Sequence, residues 1–461
     1  MISTKSRRYL TLIFVFICVL LNACTDKTET QKNFPFEVSG NVKDRAGNAL
    51  KGITLTNGNG DSCVTDSTGN FKLSNLFGQQ RITPKKMGYT FQPAFTLVSF
   101  QKSQLHFTGQ PSDSLEKISE KVFQWLVSIQ LPNGLLESSE NSNFVSLYDN
   151  ALAAFAFMSK GERNRAEAIF DFFDSHQNQE LLLSPGGFSQ FRDRNGIPTG
   201  NRWMGDNAWL LMALNHHART YNSTRYAELR LNMETWIRQL QNADGAIWGG
   251  FASNGSRIGI VTEGMIDAFN AVPGYDSFHK KALLYLETNR WDESGKQLIS
   301  WPGNTYELAL DNYPWAYCTF EDFPVAILDK ASIFKNTQSA TVSGLTINGY
   351  APDIDNDVVW LEGTGEMAVA WNKAGKDSIA RYYLNEMDKA NIESSLHSGT
   401  IGLPYVSNPG TSYGSGALWQ GADTKPCISS SAWFIFGVRK FDPFQSGYQK
   451  GIPETDKFWL N

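Results

Sequence analysis

Helical segments of two kinds alternate along most of this 461-residue chain, from residue 112 onward. One kind is amphipathic and lies at 113–130, 162–176, 222–242, 275–289 and 376–391; the other is apolar on nearly all sides and lies at 151–159, 206–220, 262–272, 313–330, 358–374 and 429–438. An amphipathic helix covers a core with its apolar stripe, whereas a helix that is apolar all round is itself buried. The alternation therefore predicts an all-α (α/α)6 toroid of inner and outer helices. Its weak point is 331–350, a poor helix sequence where an outer helix is expected.

Residues 35–110 carry a different pattern, in which apolar and polar residues alternate with period two between turn dipeptides. Short strands at such intervals are typical of an all-β sandwich. The segment resembles the carboxypeptidase regulatory-like family in Val38-Ser-Gly-Asn-Val, Gly47, Gly52, Thr65-Asp-Ser-Thr-Gly-Asn-Phe and Lys86-Met-Gly-Tyr-Thr-Phe-Gln-Pro93. The resemblance implies a small non-catalytic spacer domain. The predicted fold class is thus multidomain, with a small N-terminal β-sandwich before the toroid.

The first residues have the features of an export signal. A basic start, Lys5-Ser-Arg-Arg8, precedes an apolar run from Leu10 to Leu21 that is too short to cross a bilayer comfortably. Leu21-Asn-Ala-Cys24 is similar to the cleavage box of bacterial lipoproteins. The similarity implies a signal peptide at 1–23, a lipid on Cys24, and a polar tether at 24–34. The predicted location is the bacterial cell envelope, as an outer membrane lipoprotein, so the membrane is one expected partner.

The composition excludes some partners and leaves others open. The net charge of −5 offers no basic surface for nucleic acid. An aromatic content of 13%, with 13 tryptophans, is typical of surfaces that stack sugar rings and also of large helical cores. Apart from Cys18 and Cys24, only Cys63, Cys318 and Cys427 remain, an odd number without metal-site spacing. No metal or cofactor is therefore expected, and a Cys318–Cys427 disulfide stays open for an exported protein.

Acidic residues stand where the apolar helices are predicted to begin. The starts read Leu147-Tyr-Asp149-Asn, Met204-Gly-Asp206-Asn, Val261-Thr-Glu263-Gly, Asp311-Asn-Tyr-Pro and Trp360-Leu-Glu362-Gly, with Ser429 at the last. Because inner helices of a toroid run parallel, we expect these starts to converge at one end. That end would gather Asp149, Asp206, Glu263 and Glu362 around one aromatic-lined cavity. The alternative is that each acid caps its own helix, a role that Asp206 suits best.

Aromatic residues accompany the candidate acids. Several tryptophans stand in glycine-rich loops, where an exposed ring can stack on a sugar. The residues expected to bind substrate are Tyr148, Asp206, Trp203, Trp248, Trp301, Trp360 and Trp419. Trp209, Trp236 and Trp433 fall inside helical segments and are predicted to belong to the core.

Residues 112–445 resemble the six-hairpin glycosidase-like superfamily. The resemblance rests on Tyr148-Asp-Asn-Ala-Leu-Ala, Gly205-Asp-Asn-Ala-Trp, Thr262-Glu-Gly-Met-Ile-Asp-Ala-Phe, Trp360-Leu-Glu-Gly-Thr-Gly-Glu-Met-Ala and Ser431-Ala-Trp-Phe-Ile-Phe. It implies a toroidal catalytic domain over 112–445, a C-terminal tail at 446–461, and a poly- or oligosaccharide as partner. It implies no single reaction, because the superfamily holds hydrolases, lyases, epimerases and phosphorylases.

The favoured hypothesis is a lipid-anchored glycoside hydrolase. Acid-assisted cleavage needs one carboxylic acid to protonate the leaving oxygen and one carboxylate as base or nucleophile. Glu362 is the predicted general acid, because the apolar neighbour Trp360 would raise its pKa. Asp149 is the predicted base or nucleophile, and Glu263 would position the sugar or exchange roles with it. A lyase or epimerase that relies on Tyr or His, and a glycan-binding lipoprotein without turnover, remain as alternatives.

Overall fold

The computed structural model describes residues 34–57, 61–86, 89–93, 95–111, 114–304, 307–412, 416–446 and 450–460. The predicted signal peptide, Cys24 and the tether up to residue 33 lie outside the described residues. Contacts divide the chain into two units between residues 112 and 113. Each unit has its own core and is described by itself.

The first unit consists of two four-stranded sheets around an apolar core. Its strands are β1 (Phe36–Lys43), β2 (Thr54–Thr56), β3 (Ser62–Val64), β4 (Asn70–Leu76), β5 (Gln80–Lys85), β6 (Tyr89–Gln92), β7 (Thr96–Val98) and β8 (Lys102–Pro111). The strand orders are β4-β1-β8-β6 and β3-β2-β5-β7. Alternate residues of β1, such as Val38 and Val42, are buried because they point to the same face of the sheet. Membership of the carboxypeptidase regulatory-like family stays a prediction.

The second unit is built mainly from helices. They are α1 (Leu115–Ser128), α2 (Leu147–Ser159), α3 (Arg163–Ser175), α4 (Met204–Tyr221), α5 (Ala227–Gln239), α6 (Thr262–Ala271), α7 (Ser277–Asn289), α8 (Asn312–Thr319), α9 (Ala326–Lys330), α10 (Leu361–Lys373), α11 (Asp377–Asp388) and α12 (Ile428–Arg439). Short 3-10 helices lie at Ala331–Phe334, Pro443–Ser446, Glu454–Asp456 and Phe458–Leu460.

Alternate helices form a closed ring in the described part of the chain. Each of α2, α4, α6, α8, α10 and α12 contacts the next, and α12 contacts α2. The helices α3, α5, α7, α9 and α11 each contact the ring helix that precedes them, and α1 contacts α12. The (α/α)6 prediction is confirmed, and the ring is closed by pairing the first helix of the unit with the last.

The connections at the two ends of the toroid differ. Those that lead from an outer helix to the next inner helix are long and carry short strands. These are β9 (Val145–Ser146), β10 (Phe191–Arg192), β11 (Pro198–Thr199), β12 (Arg202–Trp203), β13 (Gly250–Phe251), β14 (Trp291–Asp292), β15 (Gln297–Leu298), β16 (Lys335–Ser339), β17 (Thr346–Tyr350), β18 (Ile392–Glu393) and β19 (Ile401–Gly402). Connections at the other end are short, such as 160–162 and 374–376. Because long loops carry function on a rigid scaffold, the inner-helix starts mark the functional end.

The fourth hairpin departs from the predicted pattern. The segment 313–330, predicted as one apolar helix, is divided, because α8 ends at Thr319 and α9 begins only at Ala326. Pro324 lies in the break, where it disfavours a helical conformation at the residue before it. The expected outer helix at 331–350 is replaced by a 3-10 turn and the antiparallel β16–β17 hairpin. The sequence that is poor for a helix here forms strands instead.

The C-terminal residues belong to the domain. The prediction of a tail at 446–461 is wrong for residues 450–460, because Ile452 and Trp459 are buried. The ring of Trp459 lies stacked 5.1 Å from that of Phe320. Lys450 donates a hydrogen bond of 3.0 Å to the Asn270 carbonyl near the end of α6. A cation at this position satisfies carbonyl groups that have no partner within the helix.

Candidate active site

The inner helices bring carboxyl groups together at their N-termini. Asp149, Asp206, Glu263 and Glu362 lie in the first turns of α2, α4, α6 and α10, and Asp311 is the N-cap residue of α8. We call these residues the ring acids. Asp149 and Asp311 both influence the pKa of Glu362, and Asp149 influences that of Asp206. The structure thus brings together the acids that the sequence placed at one end, and it adds Asp311, which sequence reasoning noted in a motif but did not select.

Asp206, Glu263 and Glu362 stand in the first turns of their helices and not at the N-cap positions. The N-cap residues of α4, α6 and α10 are Trp203, Val261 and Trp360, and none makes a side-chain cap. Asp206, the predicted cap of α4, is not its N-cap residue, but its carboxyl forms a hydrogen bond with its own backbone N–H in the first turn. The N–H groups at these helix ends still favour negative charge nearby.

Glu362 is a buried acid held by two hydroxyl groups. Burial, and then the charges of Asp149 and Asp311, raise the pKa of Glu362 to about 8, while hydrogen bonds with Tyr148 and Ser429 offset part of the rise. The Trp433 indole N–H donates to the Tyr148 hydroxyl oxygen at 3.2 Å. Glu362 is therefore mostly protonated at neutral pH. The main cause is burial among other acids, and not the single neighbour Trp360 as predicted.

Asp149 and Asp206 form a second pair. Burial raises the pKa of Asp149 to about 7, and a hydrogen bond with Ser138 lowers it in part. Burial, and then the charge of Asp149, raises the pKa of Asp206 to about 7. A carboxyl group with a pKa near 7 exists in both forms at neutral pH, so it can accept or donate a proton.

Glu263 is partly exposed as a residue, and its carboxyl group is held by a neighbouring hydroxyl. The Ser300 hydroxyl donates to its Oε1, and Ser300 in turn accepts from the Asn312 amide at 2.9 Å. Oε2 has no hydrogen-bond partner among the described residues. Burial raises the pKa of Glu263, and Arg290 offsets part of that rise. Glu263 thus has a carboxyl group in a fixed orientation.

Two further acids lie one helical turn deeper. Asp267 and Glu366, which we call the floor acids, are each four residues after Glu263 and Glu362. They are 3% and 1% exposed. Burial, followed by the charges of neighbouring acids that include Asp311, raises the pKa of both well above the usual range. Sequence reasoning quoted Glu366 within the Glu362 motif without selecting it, and missed Asp267, although both follow a ring acid at i, i+4 spacing.

The glycines of the Glu362 motif allow tight packing around the acid. A Cβ at Gly363 would lie 2.3 Å from the Trp360 ring, and a Cβ at Gly365 would lie 2.7 Å from the Trp433 Cβ. Neither position therefore tolerates a side chain. Small residues at these positions let Trp360 and Trp433 approach helix α10 on both sides of Glu362.

The predicted substrate-binding tryptophans fall into two groups. Trp301 and Trp419 are 39% and 41% exposed, as a stacking surface requires. Trp203 and Trp248 are partly buried, and Trp248 is covered by Arg257 at 5.3 Å. Trp360 is 4% exposed, so a stacking role for its face is contradicted.

An aromatic series leads from the surface to the ring acids. The Trp419 ring lies 6.4 Å from Tyr405, and Tyr405 lies 6.1 Å from Trp360. Burial, followed by the charge of Glu362, raises the pKa of Tyr405 well above its usual value. Tyr405 lies in a loop outside any helical period, so no sequence pattern pointed to it. The series offers apolar faces along one approach to Glu362.

The buried cysteines are free thiols. Cys318 lies near the C-terminal end of α8, and Cys427 is the N-cap residue of α12. Because the inner helices are parallel, these positions are at opposite ends of the toroid. The Cys318–Cys427 disulfide that the sequence left open is not formed.

Other kinds of site were sought in the described ranges. No group of three or more His, Cys, Asp or Glu side chains there is arranged to hold a metal ion. None of the helices described is both long enough and apolar enough to span a bilayer.

Comparison with solved structures identifies the class of fold. A glycosidase structure is similar over 71% of this chain and 97% of its own, with a TM-score of 0.54 and 11% identity. A glycosidase variant in complex with glucose covers the same shares, with a TM-score of 0.51 and 12% identity. A sugar epimerase from a ruminal bacterium covers 70% of this chain and 98% of its own, with a TM-score of 0.51 and 10% identity.

At this identity the likeness establishes the fold alone. The chain has the toroid that glycosidases and a sugar epimerase share. No family model and no curated protein sequence matches it. The particular reaction must therefore be argued from the site.

Proposed function

We propose that this protein is a glycoside hydrolase that cleaves a poly- or oligosaccharide by carboxylate catalysis. The observation that carries the proposal is a buried Glu362 whose pKa is about 8, close to Asp149 whose pKa is about 7. Two carboxyl groups with different affinities for protons are what glycoside hydrolysis requires. The fold shared with glycosidases supports the same conclusion.

Each carboxyl group has a separate role in the reaction. Glu362 donates its proton to the glycosidic oxygen as the bond to the anomeric carbon breaks, so the leaving group departs as an alcohol. Ionised Asp149 stabilises the positive charge on the sugar, either as the base that activates water or as the nucleophile. Glu263, whose side chain accepts a hydrogen bond from Ser300, positions the sugar.

A sugar epimerase or lyase is the second candidate. The epimerase that shares the fold and the Tyr148 hydroxyl beside Glu362 favour it. However, the charged neighbours that raise the pKa of Glu362 are the carboxyl groups of Asp149 and Asp311. A proton-shuttling epimerase or lyase would rely on Tyr or His instead. Hydrolysis is therefore favoured. A glycan-binding protein without turnover is the third candidate.

A substrate panel tests the proposal directly. The protein without its export signal is incubated with diverse polysaccharides, with Glu362→Gln as the control, and new reducing ends are measured. We expect wild-type protein to release reducing ends from at least one glycan and the variant to release almost none. An unsaturated product would indicate a lyase, and a changed sugar without new reducing ends would indicate an epimerase. Binding of a glycan without any change would indicate the third candidate.

We also propose that a lipid on Cys24 anchors the protein to the outer membrane. The basic start, apolar run and Leu21-Asn-Ala-Cys24 box support this. Cys24→Ser is expected to move the protein from the membrane fraction to the soluble fraction, because the thiol that accepts the lipid is lost. Cys63→Ser, at a half-buried free thiol, is the control and should stay in the membrane fraction. Membrane fractionation of Cys24→Ser like that of wild type would contradict the anchor.

A further inference from the structure

A groove lies on the outside of the toroid, where the β16–β17 hairpin replaces the expected outer helix. Strand β17 of this hairpin contacts both α10 and α11. The groove has a volume of about 510 Å³, which is within the range of sites that bind small molecules. The side chains that line it are those of Lys335, Asn336, Thr337, Asn348, Tyr382 and Tyr383. We call it the hairpin groove.

The hairpin groove is separate from the ring acids. The Tyr350 backbone N–H on β17 donates a hydrogen bond of 3.1 Å to the Thr364 hydroxyl on α10. Thr364 comes two residues after Glu362, so the two side chains point about 200° apart around the helix. Helix α10 therefore stands between Glu362 and the hairpin, and the groove is a second place on the domain where a ligand can bind.

A tyrosine ring in a fixed orientation forms part of the groove. Tyr382 is 44% exposed, and its ring meets the Tyr383 ring edge-on, with the centroids 5.1 Å apart and the planes at 74°. Tyr383 is itself buried and lies 4.8 Å from Tyr350. The two buried rings thus support Tyr382 while its own ring stays accessible. An aromatic ring held in this way is a surface on which a sugar ring can stack.

Hydrogen bonds also hold the polar side chains of the groove. The Thr337 hydroxyl donates to the Asn348 side-chain oxygen at 2.8 Å. The Asn348 amide donates to Glu386 at 3.0 Å, and the Asn348 side chain also forms a hydrogen bond with the Tyr382 hydroxyl. Groups that are already oriented lose little conformational freedom when a ligand binds, so less of the binding free energy is lost.

The same side chains can still bind the hydroxyl groups of a ligand. The Thr337 oxygen donates its own proton to Asn348 and can accept another, while a tyrosine hydroxyl both donates and accepts. Among the described residues of the lining, Lys335 alone carries a full charge, and its ammonium group adds donors. Such a mixture of donors and acceptors beside an aromatic ring suits a sugar.

From this geometry we propose that the hairpin groove is a second glycan-binding site. A sugar ring of the polysaccharide stacks on Tyr382, and its hydroxyl groups bind the side chains of Thr337 and Lys335. The groove holds the polysaccharide on the protein and so raises the concentration of sugar chain near the ring acids. The proposal rests on the proposed function for the class of ligand, whereas binding in the groove needs no turnover.

Electrophoresis through gels that contain each polysaccharide of the panel measures this binding. At least one polysaccharide should retard the wild-type protein. Tyr382→Ala should weaken the binding by about tenfold or more, because an aromatic side chain at the centre of a binding site supplies much of the affinity. Tyr382→Phe keeps the ring and should bind more tightly than Tyr382→Ala. Leu284→Ala, at a 57% exposed side chain on outer helix α7, is the matched control and should bind like wild type.

A second variant tests the groove without changing the Tyr382 ring. Lys335→Met, at an exposed position on β16, should weaken the binding by about threefold or more, because a donor to the sugar hydroxyl groups is lost. Melting temperatures of Tyr382→Ala and Lys335→Met should stay within about 3 °C of wild type, since both side chains are exposed. If Tyr382→Ala did not fold, weaker binding by Lys335→Met would support the groove, and unchanged binding would overturn it.

Rates on long and short substrates give an independent readout. A trisaccharide is too short to occupy the groove and the ring acids together, since α10 lies between them. Tyr382→Ala should therefore lower the ratio of kcat/KM on the polysaccharide to kcat/KM on the trisaccharide by about fivefold. Leu284→Ala should leave this ratio unchanged. An unchanged ratio for Tyr382→Ala would overturn the groove.

The outcomes separate the groove from the hydrolase. Glycan binding that Tyr382→Ala weakens, without new reducing ends from the wild-type protein, would support the groove and contradict the hydrolase. New reducing ends together with full glycan binding by Tyr382→Ala would overturn the groove and leave the hydrolase standing. Failure of every polysaccharide to retard the wild-type protein would also overturn the groove.

Discussion

Replacing Glu362 with glutamine is expected to lower turnover by about a hundredfold or more. Glutamine keeps the size of the side chain and its hydrogen-bond acceptor for Tyr148 and Ser429, but it has no proton to give to the leaving oxygen. Substrate binding should change little, because the neutral amide resembles the protonated acid that burial favours. The measurement is kcat and KM on the substrate found in the panel, together with the melting temperature.

Glu386→Gln is the matched control for this variant. Glu386 is also a buried glutamate, but it lies on the outer helix α11 and accepts from the Asn348 backbone at 2.8 Å. Its replacement should lower stability, because Asn348 and Lys389 lose contacts with its carboxyl group. Turnover per folded molecule should stay within about twofold of wild type. If Glu362→Gln kept full turnover, or lost it only through unfolding, Glu362 would be structural.

Raising the pH from 5 to 7 is expected to destabilise the toroid. Burial raises the pKa of Asp149 and Asp206 from 3.8 to about 7 and that of Glu362 from 4.5 to about 8. In this window the folded protein therefore holds protons that the unfolded chain has released. Stability is then lost as the pH rises, by on the order of a few kcal/mol. The expected fall in melting temperature is about 5 °C or more.

Calorimetry at pH 5, 6 and 7 measures this effect. His217 and His279, whose pKa values burial lowers from 6.5, oppose this trend inside the window but are outnumbered by the carboxyl groups. The window ends at pH 7, because burial lowers the pKa of Lys450 to about 7 and its effect above that pH has the opposite sign. Glu366→Gln removes one carboxyl group with a raised pKa. The melting temperature of this variant should therefore exceed that of wild type by more at pH 7 than at pH 5. Glu287→Gln, at an exposed site on α7, should follow the wild-type profile. A wild-type melting temperature that is flat or rises with pH would contradict the account.

The sequence predicted the toroid because its signals were local and repeated. Each apolar helix is buried on nearly all sides, as α2 and α12 illustrate. The fourth hairpin escaped prediction because the apolar run at 313–330 looks continuous, although Pro324 interrupts it. The C-terminal segment escaped because aromatic residues such as Trp459 carry no periodicity when they pack through short 3-10 turns.

The site was predicted only as far as helix position determines it. Acids at helix starts converge because the inner helices are parallel, so Asp149 and Glu362 could be chosen from spacing. Tyr405 could not be chosen from spacing, because it lies in a loop and not on one of the inner helices. The contact of Trp209 was also hidden, because its apolar setting indicates core burial and not a hydrogen bond between its indole and Asp267.

The central claim is that Glu362 is the proton donor, and leaving-group dependence tests it most directly. We would compare kcat/KM of wild type and Glu362→Gln on two glycosides of the same sugar. One has an alkyl leaving group, which needs a proton, and the other has a dinitrophenyl leaving group, which departs without one. We expect a loss of about a hundredfold or more on the alkyl glycoside and of about threefold or less on the dinitrophenyl glycoside. An equal loss on both would contradict the account.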